Sequence, residues 1–322
     1  MKYAPVLIPT LNRYEHLKKC VESLQNNTWA QYTDLYIALD YPAKDSHYDG
    51  HKKISDYLDT GITGFKSVTV IKRTQNFGVS GYKSNLSELR NEVKKKYDRI
   101  IITEDDNIFS PCFIEYMDRM LELSEQDENI VAVCGYSYPV NWIDGGKGVI
   151  LEQSFFSAWG CGYLVERDEK IRELYASPYH DSVLRNRVKC NKLWRQSKKN
   201  YCYFMDLAWG KNYGLLDISR SCLMTLENLY CLMPTVSLVR NCGWDGSGIN
   251  CNTNPEGASV YKEQVIQTGR QFNVKIESID ELQHYSKNET IINNYYNVSV
   301  VAILRAIIKQ IIMTIRILKK DN

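Results

Sequence analysis

Three consecutive carboxylates, Glu104-Asp105-Asp106, follow the run Arg99-Ile100-Ile101-Ile102-Thr103. Adjacent acids repel one another, so they persist together around a cation or in a solvated loop. Three successive Ile residues cannot share one face of a strand. So short a β-branched run reads as a strand buried on both faces, as in a mostly parallel α/β sheet. Open α/β sheets bind ligands at the carboxyl ends of their strands, where a divalent cation can be met without burying charge in the core. The plainer alternative is an acidic turn capping a helix that starts near Ser110. Further along, Asp206 stands alone within Tyr201-Cys202-Tyr203-Phe204-Met205-Asp206-Leu207-Ala208-Trp209. A carboxylate among apolar neighbours is either paired or functional, because burying it alone is expensive.

The elements that must position these acids are legible as an alternation of strand and helix. Tyr3 to Ile8 is an apolar run ended by Pro9-Thr10-Leu11-Asn12-Arg13, and Leu17, Val21 and Leu24 then mark one face of a helix. Strands follow at Leu35 to Leu39 and Val68 to Ile71, helices at His51 to Leu58 and Asn85 to Lys96. This order implies a parallel sheet with right-handed crossovers. Arg13, Asp40, Asn76 and Glu104 to Asp106 all come just after strands, so they emerge on one edge, where a nucleotide site is expected. The loop Asn76 to Gly81 is not GxGxxG, and no GxxxxGK[ST] motif occurs, which disfavours a dinucleotide fold or a P-loop. Lys83 and the helix start beside it can serve a diphosphate, or form an ordinary turn.

In the second half, Phe113 to Leu123 reads as a helix, Ile130 to Cys134 as a strand, and 135–150 as loop. Phe155 to Tyr163 laces aromatic residues with glycine, including Trp159 and Gly160. Glycine lets backbone approach a ligand, and aromatic faces suit sugar rings; a packed aromatic cluster is the alternative. Residues 181–200 form a basic helix with a solvated face, 228–239 a strand pair around Pro234, and Asn241 to Cys251 a glycine-rich loop.

A chain of 322 residues with net charge +2 and 24% charged side chains is neither a nucleic-acid binder nor acid-tailed. Its ten cysteines show no CxxC or zinc spacing. Lys2 leads straight into a strand, so no signal peptide is expected; the thiols are expected reduced in the cytoplasm. The Asn-x-Ser/Thr matches at Asn26, Asn288 and Asn297 are then coincidental.

Taken together these segments resemble a GT-A-fold glycosyltransferase, nearest the inverting N-acetylglucosaminyltransferase I type, with family-2 features at the N-terminus. Pro5 to Arg13 resembles the opening strand and Asn-Arg turn, and Glu104-Asp105-Asp106 the Asp-x-Asp metal motif. Phe155 to Tyr163 resembles the aromatic-glycine segment, and Asp206 to Trp209 the catalytic Asp-x-x-Trp. Met233 to Ser237 and Gly246-Ser247-Gly248 fall where that family has a Pro-x-x-Ser strand and a glycine loop. The resemblance covers roughly residues 3–252. It implies a 1–255 transferase domain (1–110 nucleotide-binding, 111–255 acceptor and catalytic) and a 256–322 extension. It also implies a nucleotide-sugar donor, with uracil as the expected base, and a glycan or lipid-linked glycan acceptor, in cell-surface polysaccharide or glycolipid synthesis. Asp40 and Arg13 would lie near base and ribose, Glu104 and Asp105 would bond sugar and ribose hydroxyls, and Asp106 would hold Mn²⁺ or Mg²⁺. Asp206 would be the general base of an inverting transfer, with Trp159, Gly160 and Trp209 near the sugar or acceptor. A nucleotidyltransferase should carry a glycine-rich phosphate loop after its first strand, and none is present. A non-catalytic nucleotide-sugar binder is the other reading, disfavoured by the intact acids.

The last segment is of another kind. Val298 to Leu318 is apolar but interrupted by Arg305, Lys309 and Arg316, with Lys319 and Lys320 beyond. At 100° per residue these five basic residues fall in a sector of roughly 100°. A spanning helix would not carry Arg305 and Lys309 to lipid at its centre. A helix lying on an anionic membrane surface, at the inner face of the cell membrane, is expected, with docking on the protein itself as the alternative.

Overall fold

The computed structural model describes residues 1–78, 83–175, 179–211, 217–247, 264–274 and 276–320. It is a mixed α/β architecture, an eight-stranded sheet flanked by helices. The first half alternates as expected: β1 (Val6–Thr10), α1 (Tyr14–Gln25), β2 (Asp34–Leu39), α2 (Tyr48–Asp59), β3 (Ser67–Lys72), α3 (Asn85–Val93) and β4 (Arg99–Ile102). These four strands pair in parallel in the order β3-β2-β1-β4. Every residue of β2 and β4 is buried, and after their charged first residues, Asp34 and Arg99, both read as continuous apolar runs. α1 covers one face through Leu17, Cys20, Val21 and Leu24, spaced for a single helical stripe.

The second half completes the sheet less regularly. β5 (Asn107–Phe109), α4 (Phe113–Ser124), β6 (Ile130–Cys134), β7 (Val149–Glu152) and β8 (Cys161–Leu164) precede a run of helices. These are α5 (Val165–Tyr175), α6 (Tyr179–Arg185), α7 (Arg187–Gln196), α8 (Lys198–Trp209) and α9 (Asp217–Glu227), before β9 (Tyr230–Pro234) and β10 (Val239–Asn241). β8 inserts antiparallel between β4 and β6, with Ile101 opposite Gly162. Glycine lets α4 pack close there: a Cβ on Gly162 would stand 2.8 Å from Met117 Cε, and that side-chain end would have to shift. Three expectations need correction. The basic stretch 181–200 is not one helix: it holds α7 and parts of α6 and α8, each of α7 and α8 restarted by a side-chain cap, Asn186 and Ser197. The segments around Pro234 do not pair with each other: β9 joins β6 and β7, whereas β10 pairs with β5. The first strand begins at Val6 and runs through Pro9 to Thr10, because β1 pairs with β2 over its whole length.

Beyond β10, Arg119 ties down the chain through the carbonyls of Phe272 (2.8 Å) and Val274 (2.7 Å). A helix over Ser286–Tyr296 then leads to the C-terminal helix, Val300–Lys320, which packs on α8 and α6. No single described helix is long and apolar enough to cross a membrane. Lys309 and Arg316 of the C-terminal helix face α8: Lys309 Nζ donates to Asp206 at 2.6 Å, and the Arg316 guanidinium lies 5.0 Å from the Trp209 ring centre. Two of the five basic residues thus contact α8, Lys309 half-buried and Arg316 still exposed.

One buried acid gives a pH test of the fold. Glu152 at the end of β7 accepts from Ser154 N (2.7 Å) and Phe155 N (3.1 Å), while Oε2 has no partner among the described residues. Burial pushes its carboxyl up to about 7 against the pull of the Ser154 N–H. The folded state then keeps a proton that the unfolded chain, with a Glu pKa of about 4.3, releases. Stability attributable to Glu152 therefore falls as pH rises from the unfolded value to about 7. Glu152→Gln should flatten the pH dependence of the thermal midpoint in that window. Parallel curves for the two proteins would refute it.

Candidate active site

The acidic triplet turns the chain from β4 into β5, at the carboxyl edge of the parallel strands. Its three members have different surroundings. Asp105 is buried, accepting from Thr10 Oγ1 (2.7 Å) and from Arg13 Nη2. Asp106 is also buried, accepting from Arg13 Nη1 (2.6 Å) and Asn241 Nδ2 (2.9 Å) on its two oxygens. Arg13 comes from the turn between β1 and α1, and its planar fork spans both carboxylates as a lysine would not. Burial works against the Arg13 cation, but Asp105 and Asp106 outweigh it and hold the guanidinium charged. The loop after β10 closes over the pair. Cys242 N donates to the Asp106 carbonyl at 2.8 Å, and a Cβ on Gly243 would run into Asp106 Oδ2. Glu104 is the member left open to solvent. The surrounding protein, then Asp106, Asp217 and Asp105, push its carboxyl up to about 8, a rise that its access to water tempers.

Asp217, the first residue of α9, is absent from the sequence reading, yet it is the outside carboxylate whose field reaches Glu104. It accepts from Ala158 N at 3.2 Å, which sets it beside Trp159. Burial raises its pKa, opposed by the Ala158 N–H, Arg220 and Lys199. Lys199 of α8 lies 3.0 Å from the Tyr296 ring centre, and burial pushes its ammonium down to about 7, with Asp217 opposing. An aromatic wall continues from there. Tyr296 stacks on Phe155 at 5.4 Å, Tyr138 meets Tyr296 at 5.6 Å and Tyr136 at 5.3 Å, and Tyr136 meets Trp159 edge-on at 4.7 Å. In sequence Asp217 reads as an ordinary acid in the first turn of a helix, so only its position across from the triplet distinguishes it.

The other expected site residues divide. Arg13, Glu104, Asp105, Asp106 and Trp159 come together. Asp40 is buried, and its carboxylate accepts from the backbone N–H groups of Tyr41 (3.0 Å), Phe77 (2.9 Å) and Gly78 (2.9 Å), clamping the loop after β3. Lys83 is exposed just before the α3 cap, Ser84; Val79 to Gly81 of that loop lie outside the described residues. Gly160 is buried with a φ of +63°, and a Cβ there would meet Val239, Phe109 and Phe113 at 3.0–3.1 Å, so its smallness serves core packing rather than ligand approach. Asp206 and Trp209 point to the C-terminal helix. Asp206 is 56% exposed and paired with Lys309, not enclosed by aromatic residues, because its α8 register turns it outward while Phe204 and Met205 go inward. Of the glycine loop, Gly246 and Ser247 are described, and Gly248 to Cys251 lie outside.

A divalent ion at Asp106 fits this arrangement poorly. Its two oxygens already accept from Arg13 and Asn241, one bond on each, and among the described residues no three His, Cys, Asp or Glu side chains form a group that could hold a metal ion. Arg13 already supplies positive charge where the cation was expected.

No family model matches the chain, and no curated protein matches it. Among solved structures it is similar to S. aureus TarS 1-349 in complex with UDP-GlcNAc, at 13% identity over 49% of this chain and 39% of that one, with a TM-score of 0.31. It is similar to the mannosyltransferase PcManGT from Pyrobaculum calidifontis in complex with GDP-Man and Mn²⁺, at 12% identity over 53% and 47%, with a TM-score of 0.35. Mouse xyloside xylosyltransferase 1 matches at 9% identity over 57% and 75%, with a TM-score of 0.36. The chain spans 24% of the length of TarS and 49% of TarS 1-349. So distant a likeness assigns no activity.

Proposed function

We propose that the chain is a GT-A-type glycosyltransferase that moves a hexosyl or N-acetylhexosaminyl group from a nucleotide-diphosphate donor, with uridine as the expected nucleoside, to a glycan hydroxyl. The observation that carries this reading is the acid cluster at the sheet edge: Arg13 grips Asp105 and Asp106, Glu104 stays open, and Asp217, held by Ala158 N beside Trp159, is near enough for its charge to raise the Glu104 carboxyl. In this reading Arg13 fixes the triplet, and Glu104, the open acid, meets donor hydroxyls. Asp217 takes the proton from the acceptor hydroxyl as that oxygen attacks the anomeric carbon. The bond from that carbon to the diphosphate breaks on the opposite face, and the nucleoside diphosphate leaves with the electron pair. One base and one displacement invert the anomeric centre. The aromatic faces suit the apolar faces of sugar rings.

The test is a panel of nucleotide sugars measured by calorimetry for binding and by NMR for slow hydrolysis. Binding and hydrolysis of one donor, strongest among UDP-sugars, is the expected result. Binding without turnover to any acceptor would favour a non-catalytic binder, and no binding at all would sink the reading.

A further inference from the structure

The face of the C-terminal helix turned away from α8 is an apolar seam. Val301, Leu304, Ile308, Ile311, Ile315 and Leu318 are each 48–57% exposed although every one is a large aliphatic residue. Their spacing alternates three and four residues from end to end, a heptad repeat. One set, Val301, Ile308 and Ile315, is entirely β-branched, and the alternate set is Leu304, Ile311 and Leu318. β-branched residues at the first position with Leu prevailing at the second favour two parallel strands. Ala306 and Met313, buried against the domain, occupy the position farthest from the seam. The body of the protein therefore hangs on the side of the helix that a partner would leave free.

We propose that this helix pairs with the same helix of a second copy as a parallel two-stranded coiled coil. Charge supports the direction. Arg305 and Lys319 flank the seam on one side, Val300, Ile307 and Thr314 on the other. Parallel pairing sets Arg305 beside Val300, Ile312 beside Ile307 and Lys319 beside Thr314. Antiparallel pairing sets Arg305 against Lys319, like charge on like. A lipid surface is a poorer occupant, because Lys309 is paired with Asp206 and the exposed Arg316 lies over Trp209 of α8, so the basic residues sit to one flank of the seam only. A seam of about 27 Å is short for a free peptide, but this helix is already ordered on the domain, so pairing does not have to fold it. None of this depends on the chemistry of the cleft.

Sedimentation equilibrium of the full chain at micromolar concentration should give a dimer. Ile308→Glu combined with Ile311→Glu should give a monomer with unchanged circular dichroism. Ile308→Cys should form a disulfide-linked dimer on mild oxidation, because parallel pairing sets the two copies of that position face to face, whereas Arg305→Cys should not. A monomeric wild type would overturn the proposal, as would cross-linking through Arg305→Cys in preference to Ile308→Cys. A monomer that floats with phosphatidylglycerol vesicles would also overturn it and assign the seam to lipid.

Discussion

Asp217→Asn is expected to lose about 10²–10⁴-fold in transfer rate while still binding donor, the usual cost of removing a general base. The substitution is gentle to the fold, since the Asn side-chain oxygen can still accept from Ala158 N, the bond that seats Asp217 at the start of α9. Burial raises the Asp217 carboxyl above its ordinary range, which brings its proton affinity closer to what abstraction near neutrality needs. The rising limb of the wild-type pH–rate profile should therefore sit above the usual Asp value of about 3.9 and disappear in the variant. The contrast is Asp206→Asn. It breaks an exposed ion pair with Lys309, worth about 1 kcal/mol at most, and should leave the rate nearly unchanged. Measuring both variants on matched preparations separates the roles. Full activity in Asp217→Asn, or a collapse in Asp206→Asn, would return the base to α8, and a product of retained configuration would exclude single displacement altogether.

Arg13→Met should be the most destabilising single change at the site. The guanidinium is the shared partner of two buried carboxylates, and removing one member of a buried ion pair typically costs about 3–5 kcal/mol. For a chain of this size that is a fall in thermal midpoint on the order of 10 °C. The mechanism predicts two rescues. Without Arg13, the buried Asp105 carboxyl loses the cation that opposes the upward push of burial, so the variant should recover stability as pH falls and Asp105 takes up a proton. Mn²⁺ or Mg²⁺ should also raise the variant's midpoint by filling the gap between Asp105 and Asp106, and should move the nucleotide-free wild type far less. An equal metal response in both proteins would show that Asp106 can hold a cation with Arg13 in place. A midpoint unchanged from wild type would mean that the pair is not the keystone of the turn.

Residue order alone determined the parallel half of the sheet and the edge at which the acids emerge. Those features follow from local patterns: the unbroken apolar runs of β2 and β4, the single stripe of α1, and polar residues placed just after strand ends. The Ile100–Ile102 run implies burial on both faces wherever its neighbours come from, so it could be read without them. Tertiary structure decided what sequence spacing does not encode. Asp206 looks enclosed because aromatic residues precede and follow it, but a helix turns each side chain about 100° from the last, and its outward register meets Lys309 more than a hundred residues later. Asp217 looks like a helix-start acid until the packing of α9 brings it to Ala158 and into the field of Glu104. Asp40, Gly160 and Asp106 share the same lesson in smaller form. Each was placed at the right edge or segment, but whether its atoms face a ligand depends on which distant N–H, ring or guanidinium reaches them first, and that is set only when the chain is folded.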